Sequence, residues 1–372
     1  MLVDVIAGAR PNFMKIAPII HAIEELQKAE SPLRYRLIHT GQHYDQNMSG
    51  AFFEQLGIPA PNPNLSVGSG TQAEQTAGIM VAYEKLLLEA PSDLCLVVGD
   101  VTSTMACAIV AQKMSIPVAH VEAGIRSGDW TMPEEINRIV TDSITNYFFT
   151  TTRSSGAALI KSGVNPSNIH FVGNTMIDTL VANLEKLTPP DFVAEHGLEP
   201  GRYLVTTLHR PSNVDDSRRA LALLKVISEA AGDLPVVFPV HPRTAKVLDG
   251  SLEAFKNIIA VPPQAYHQFN WLVRNSRGVI TDSGGISEET TFMGIPCMTL
   301  RDTTERPETV ELGTNLLIGN DVDLLRRSIE RAVLGQWRSG TVPEKWDGCA
   351  GERIANILHM LAQTRAAANP NG

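Results

Sequence analysis

A set of side chains able to move protons or hold an anion stands directly behind short apolar runs of this chain. Arg10 and Lys15 follow residues 2–7, Asp100 follows 94–98, Glu122 follows 118–121 and His209 follows 203–207. Glu134 and Glu135 open an amphipathic segment after Pro133. Asp100, Glu122 and Glu134 are the candidates for acid/base work, because clustering raises carboxyl pKa values toward those that can take a proton from carbon. Arg10 and Lys15 suit a diphosphate or a leaving group, one as a planar fork and the other as a point charge. Each residue also has a duller reading. Asp100 would cap a following helix, Glu122 would brace a loop through Arg126, and Glu134 would answer a helix dipole. A single His209 is more often structural than catalytic. The coincidence of so many at strand ends favours chemistry.

A second feature is Thr281-Asp282-Ser283-Gly284-Gly285, which follows an apolar β-branched run and precedes a helical segment. Strand, glycine turn and helix start leave free N–H groups and a partial positive charge, which suit a phosphate. Gly284 and Gly285 permit positive φ and leave no Cβ in the path of an anion. Glu289, one turn on, would meet ligand hydroxyls. The alternative is an ordinary strand-to-helix turn with a serine cap.

These residues need a scaffold of alternating strands and helices. Strand-like runs occur at 2–7, 35–40, 94–98, 118–121, 147–151 and 169–172, with helical spacing at 16–27, 73–88, 104–113, 134–143 and 156–162. After a looser stretch at 187–191 the alternation restarts, with strands at 203–207, 236–240, 258–261, 279–281, 297–300 and 316–318. Alternation of this kind predicts parallel sheets covered on both faces. The chain is read as α/β, two Rossmann-like doubly wound domains, 1–172 and 173–351, with a last helix at 352–366 joining the first. Ligands of such sheets bind beyond the carboxyl strand ends, which places the expected site in a cleft between paired domains.

Length and composition agree. A chain of 372 residues is too long for one ordinary core. A net charge of -9 argues against a general nucleic-acid or anionic-membrane surface. Cys95, Cys107, Cys297 and Cys349 show no paired spacing, no signal peptide opens the chain and no run of membrane-spanning length appears. A reducing cytoplasm is the expected compartment. Gly68-Ser69-Gly70-Thr71-Gln72-Ala73 has the form of a dinucleotide turn but follows a poor core strand, and is set aside. Walker A, HExxH and nucleophile-elbow patterns are absent.

In order along the chain stand Gly8-Ala9-Arg10-Pro11 with Lys15, Thr40-Gly41-Gln42-His43, Gly99-Asp100 and His120-Val121-Glu122-Ala123-Gly124. Met132-Pro133-Glu134-Glu135-Ile136-Asn137-Arg138, Gly173-Asn174-Thr175, Thr207-Leu208-His209-Arg210, Asp282-Ser283-Gly284-Gly285 and Arg301-Asp302-Thr303-Thr304-Glu305-Arg306-Pro307-Glu308 follow. Together they resemble the UDP-N-acetylglucosamine 2-epimerase family of the non-hydrolysing type. The resemblance implies a glycosyltransferase-B type fold, a UDP-sugar substrate, a homodimer, and inversion at C2 without metal or nicotinamide. UDP would be eliminated to give a 2-acetamidoglucal and then added back. By motif, Ser283, Gly284 and Gly285 would hold phosphates, Glu289 the ribose, and Gln264 and Phe269 the uracil. Arg10, Lys15, His209 and Arg306 would face the diphosphate and sugar, and Asp100, Glu122 and Glu134 would supply acid and base. Tyr44 and Glu74 stand where many bacterial members have arginines of a regulatory substrate site, although Gln42 and Gln46 remain, which argues against activation by substrate. Relatives acting on diacetamido uronic-acid nucleotides share the first-half motifs, while Arg306-Pro307 favours N-acetylglucosamine. A hydrolytic epimerase, a retaining glycosyltransferase and a silent nucleotide-sugar sensor are the other readings.

Overall fold

The computed structural model describes residues 1–41, 50–248 and 250–368. It divides into two compact units, Met1–Val181 with the segment from Glu344 onward, and Ala182–Pro343.

The first unit carries β1 (Leu2–Ala7), β2 (Arg34–His39), β3 (Leu94–Val98), β4 (Val118–Val121), β5 (Tyr147–Thr150) and β6 (Ile169–Phe171). All pair in parallel, in the order β2-β1-β3-β4-β5-β6. Every residue of β3 is buried, as a strand covered by helices on both faces requires. On one face Ile79, Tyr83 and Leu87 of the helix Gln72–Glu89 meet Cys95, Val97, Ala106 and Cys107. Burial pushes the Cys95 and Cys107 thiols up, which makes them inert core groups. The C-terminal helix Ala350–Ala368 packs on the helix Arg10–Lys28, so closely that a Cβ at Gly351 would come within 2.6 Å of the Pro18 carbonyl carbon.

The first unit extends past residue 172, where the sequence places a boundary, to Val181. The reason lies in two buried contacts of the helix Thr175–Asn183. Thr179 Oγ1 donates to the Met14 carbonyl at 2.5 Å, and Asp178 accepts the Gly351 N–H at 2.6 Å.

The second unit carries β7 (Leu204–Thr207), β8 (Val236–Pro239), β9 (Ile258–Val261), β10 (Gly278–Thr281), β11 (Cys297–Thr299) and β12 (Asn315–Leu317). They are again parallel, in the order β12-β11-β10-β7-β8-β9, over a core that includes Leu224, Ile227, Phe238, Ile280, Met298 and Ile329. The strand order reverses between β1 and β3 in the first sheet and between β7 and β10 in the second. Chain crossovers leave in opposite directions there, opening a crevice at the carboxyl ends.

One local expectation is adjusted. The first helix starts at Arg10 rather than residue 16, because Pro11 suits a first turn and the Asn12 side chain accepts the Ala9 N–H at 2.9 Å. The stretch from Gly68 leads into a capped helix: Glu74 accepts from the Thr71 N–H at 2.8 Å while Thr71 Oγ1 accepts from the Glu74 N–H at 3.2 Å. Glu74 is thereby a capping-box residue. No helix among the described residues is long and apolar enough to cross a membrane.

Candidate active site

At the switch point of the first sheet, Asn12 fastens the turn after β1 to the end of β3. Its Oδ1 accepts the Gly8 and Ala9 N–H groups, and its Nδ2 donates to the Val98 carbonyl at 3.2 Å. This holds Arg10, exposed at the helix start, and Lys15 one turn deeper. Lys15 Nζ lies 2.7 Å from Glu122 Oε2, with side chains 17% and 4% exposed. Glu122, just beyond β4, adopts φ 71°. A left-handed glutamate stores strain, and such strain persists where the surroundings over-determine it. Gly99, beyond β3, has φ 68°, and a Cβ there would lie 3.4 Å from Lys15 Nζ and 3.7 Å from Glu122 Oε2. Lys15, Glu122 and the Gly99-Asp100 turn therefore share one spot.

The duller readings of two carboxylates do not hold. Asp100 accepts from Arg138 Nε at 3.0 Å and Nη2 at 2.5 Å, while the N-cap position of the helix Thr102–Lys113 falls on Val101. Arg126 pairs with Asp142 at 2.6 Å, not with Glu122. Glu134 is half-buried in the first turn of the helix Pro133–Ser143, the place the dipole favours. Its neighbour Glu135 is the buried one, accepting the Ser127 and Gly128 N–H groups and Arg138 Nη1 at 2.8 Å. Burial opposes ionisation of Glu135, but these donors outweigh it and hold the carboxyl below its usual range.

The second sheet places His209 after β7 and Ser283 after β10, side by side at its switch point. His209 Nδ1 lies 2.5 Å from Asp282 Oδ1, the imidazole 54% exposed and the carboxylate 0%. Asp282 also accepts the Arg210 N–H at 3.0 Å and Asn213 Nδ2 at 3.1 Å. Burial raises the Asp282 carboxyl, but His209, Arg210 and Asn213 more than reverse this and leave it below the ordinary range. The pair orients the imidazole as a buried carboxylate orients a catalytic histidine.

Ser283 is the N-cap of the helix Gly284–Met293, but its hydroxyl makes no capping bond, so the serine-cap alternative fails. Neither Gly284 nor Gly285 uses the positive φ that a glycine permits. Their smallness counts instead. A Cβ at Gly284 would come within 3.1 Å of Arg301 Nη1, whereas no described atom lies within 4 Å of one at Gly285. Glu289 is buried within the same helix, 3.4 Å from Asn270 Nδ2, and burial pushes its carboxyl up to about 7 against the pull of Asn270 and Tyr266. Gln264, beyond β9, donates to the Pro262 carbonyl at 2.6 Å. Phe269 packs against the core from the helix Tyr266–Arg274. Arg306 is buried, its Nε held by Glu288 at 2.9 Å. Gln42, His43, Tyr44 and Gln46 lie outside the described residues.

Sequence reasoning missed Asn12, Arg138, Asp282 and Glu288 as partners of these groups. Asp282 carried a trace, standing at a strand end within the serine-glycine motif, and Arg138 another, closing the motif that holds Glu134 and Glu135.

Two parallel sheets with polar residues gathered at their switch points, one beside a helix N-terminus and one around a carboxylate set, define an α/β fold of the glycosyltransferase-B type. A model of the UDP-N-acetylglucosamine 2-epimerase family matches residues 24–359. UDP-N-acetylglucosamine 2-epimerase of Methanocaldococcus jannaschii is 40% identical over 96% of this chain and 99% of its own. UDP-2,3-diacetamido-2,3-dideoxy-D-glucuronate 2-epimerase of Pseudomonas aeruginosa is 37% identical over 97% and 100%. The crystal structure of the M. jannaschii enzyme with UDP-GlcNAc and UDP superposes with a TM-score of 0.86 at 40% identity, covering 97% of this chain and 100% of that one. A galactosyltransferase 14% identical shares the fold with a TM-score of 0.54. The chain belongs to the UDP-N-acetylglucosamine 2-epimerase family and is an enzyme of the isomerase class.

Proposed function

We propose that this protein interconverts UDP-N-acetylglucosamine and UDP-N-acetylmannosamine. The observation that carries the reading is the meeting of Lys15, Glu122 and the Gly99-Asp100 turn at the first sheet's switch point, in a chain of this family. A carboxylate of the Asp100, Glu122 and Glu134 set takes the C2 proton. The C1–oxygen bond breaks, its electron pair leaves with the β-phosphate, and a 2-acetamidoglucal remains. Return of a proton to the other face of C2 and of UDP to C1 completes the inversion.

The leaving diphosphate is met by the first-turn N–H groups of Gly284 and Gly285 and by the Ser283 hydroxyl, which caps nothing, while the Ser283 N–H donates to Thr281 Oγ1 at 3.0 Å. His209, oriented by Asp282, stands beside that corner as a proton donor to the departing oxygen. Arg306, held by Glu288, adds positive charge, while Arg10 and Lys15 supply it at the first sheet's switch point. Glu289 takes the ribose and Gln264 with Phe269 the uracil. The chemistry asks nothing of a redox cofactor, because elimination and re-addition of UDP move a proton and a leaving group but no hydride.

The name of the Pseudomonas relative favours a second candidate substrate, UDP-2,3-diacetamido-2,3-dideoxy-D-glucuronate. Incubation with each UDP-sugar, followed by NMR of the anomeric protons, tests both. The proposal expects UDP-N-acetylmannosamine from UDP-N-acetylglucosamine. Free N-acetylmannosamine with UDP would make the enzyme hydrolytic, and turnover of the uronic-acid nucleotide alone would replace the substrate.

A further inference from the structure

His120 lies in β4 and is fully buried, yet acceptors engage both of its ring nitrogens. Nδ1 lies 2.7 Å from Asp142 Oδ1, and Nε2 lies 2.8 Å from the Gly99 carbonyl oxygen. A carboxylate and a carbonyl both accept, so each ring nitrogen must donate, and an imidazole donates from both only as the cation. Asp142, also buried, is the counter-charge. Its other oxygen accepts the Gly124 N–H at 3.1 Å and Arg126 Nη1 at 2.6 Å. Burial works against ionisation of Asp142, but His120 and Arg126 outweigh it and keep the carboxyl below its ordinary range.

The bonds join the backbones beneath all three candidate carboxylates. Gly99 immediately precedes Asp100, and His120 and Gly124 flank Glu122. Asp142 sits near the end of the helix Pro133–Ser143, whose first turn carries Glu134 and whose Arg138 grips Asp100. The loop has little room to re-form elsewhere. Gly124 has φ 79°, and a Cβ there would meet the Ser155 carbonyl oxygen at 2.3 Å.

We propose that His120 is a positioning residue of the epimerisation, a buried cation whose two hydrogen bonds set the Gly99-Asp100 turn, the Glu122–Gly124 turn and the Glu134 helix in mutual register. The inference rests on the reaction proposed above. His120 acts through the backbone at Gly99 and through Asp142, not on the substrate.

Two variants separate geometry from charge. Asp142→Asn keeps every bond, since its amide donates to a neutral His120 while its oxygen accepts from Gly124 and Arg126, but both charges vanish. His120→Gln has one donating group and must abandon one of two acceptors. His120→Gln is expected to lose about 10²-fold in kcat, the scale of an ångström's misplacement of reacting groups. Its KM and its UDP affinity should stay within about twofold, because the nucleotide is assigned to the other unit. Asp142→Asn should keep kcat within about tenfold of wild type, since only a hydrogen-bond frame is at stake.

The 15N spectrum of the wild-type protein should show two protonated ring nitrogens at His120. Wild-type kcat in His120→Gln, parallel loss of kcat and UDP affinity, an Asp142→Asn enzyme as slow as His120→Gln, or one unprotonated ring nitrogen would each overturn the proposal. If His120→Gln does not fold, Asp142→Asn and the spectrum decide. A wild-type protein that epimerises no UDP-sugar would sink the reaction instead, while the spectrum would still report the two donated bonds.

Discussion

The His209 imidazole, half exposed, holds its Nδ1 2.5 Å from an Asp282 carboxylate that solvent does not reach. Replacing that carboxylate by an amide removes the charge that orients the ring and the best acceptor for the His209 and Arg210 N–H groups. Asp282→Asn is expected to lower kcat by about 10²–10⁴-fold, the usual cost of disabling one acid/base group. Initial rates check this, and a wild-type rate would contradict it. The carboxyl lies below its unfolded value, so its contribution to stability is complete at neutral pH and is lost as pH falls through the folded value, below about 3.9. The gap in Tm between wild type and Asp282→Asn should close at the acid end.

Neighbouring glutamates should separate cleanly. Glu135→Gln leaves the buried Arg138 and two loop N–H groups poorly answered, and should cost about 1–3 kcal/mol of stability. Glu134→Gln should leave Tm unchanged and lower kcat by about 10²–10⁴-fold. Thermal melts and initial rates on the two variants settle the assignment, and the reverse pattern would exchange their roles.

The two glycines should likewise differ. At Gly284 a methyl must displace Arg301, which is buried and 2.6 Å from Glu305, so Gly284→Ala should cost about 1–3 kcal/mol. Gly285→Ala meets no described neighbour and should melt like wild type. If a phosphate approaches there, the same change should weaken UDP by about tenfold or more, the worth of a charge-assisted hydrogen bond. Calorimetric titration with UDP reads the second effect; unchanged affinity would move the phosphate elsewhere.

Glu289 gives a dependence on pH of opposite sign to Asp282. Its folded carboxyl is raised to about 7, so its favourable contribution is present below the unfolded value and is lost as pH rises through the folded one. In the absence of nucleotide, Glu289→Gln should lose less Tm than wild type between about pH 5 and about pH 8. An equal loss would show that another group titrates there.

Much of this framework is written locally. β1, β3, β4 and β9 begin and end where their mostly apolar runs do, and β3, buried at every residue, shows the continuous apolar signature of a strand covered on both faces. The rule that ligands gather at carboxyl strand ends then singled out Asp100, Glu122 and His209. What the sequence could not show is long-range or conformational. Arg138 reaches Asp100 across 38 positions, and Asp282 reaches His209 across 73. The left-handed glutamate at 122 has no compositional mark. The helix Thr175–Asn183 escaped notice because Thr175, Asp178, Thr179 and Asn183 are buried polar residues, which erase the amphipathic contrast.

The central claim is that C2 loses its proton to a protein group and regains one from a pool that exchanges with solvent. Proton NMR of the enzyme with UDP-N-acetylglucosamine in D2O tests it most directly. Both UDP-linked epimers should lose their C2 proton signal to deuterium at a rate tied to epimerisation. Formation of the epimer with its C2 proton retained would contradict the account.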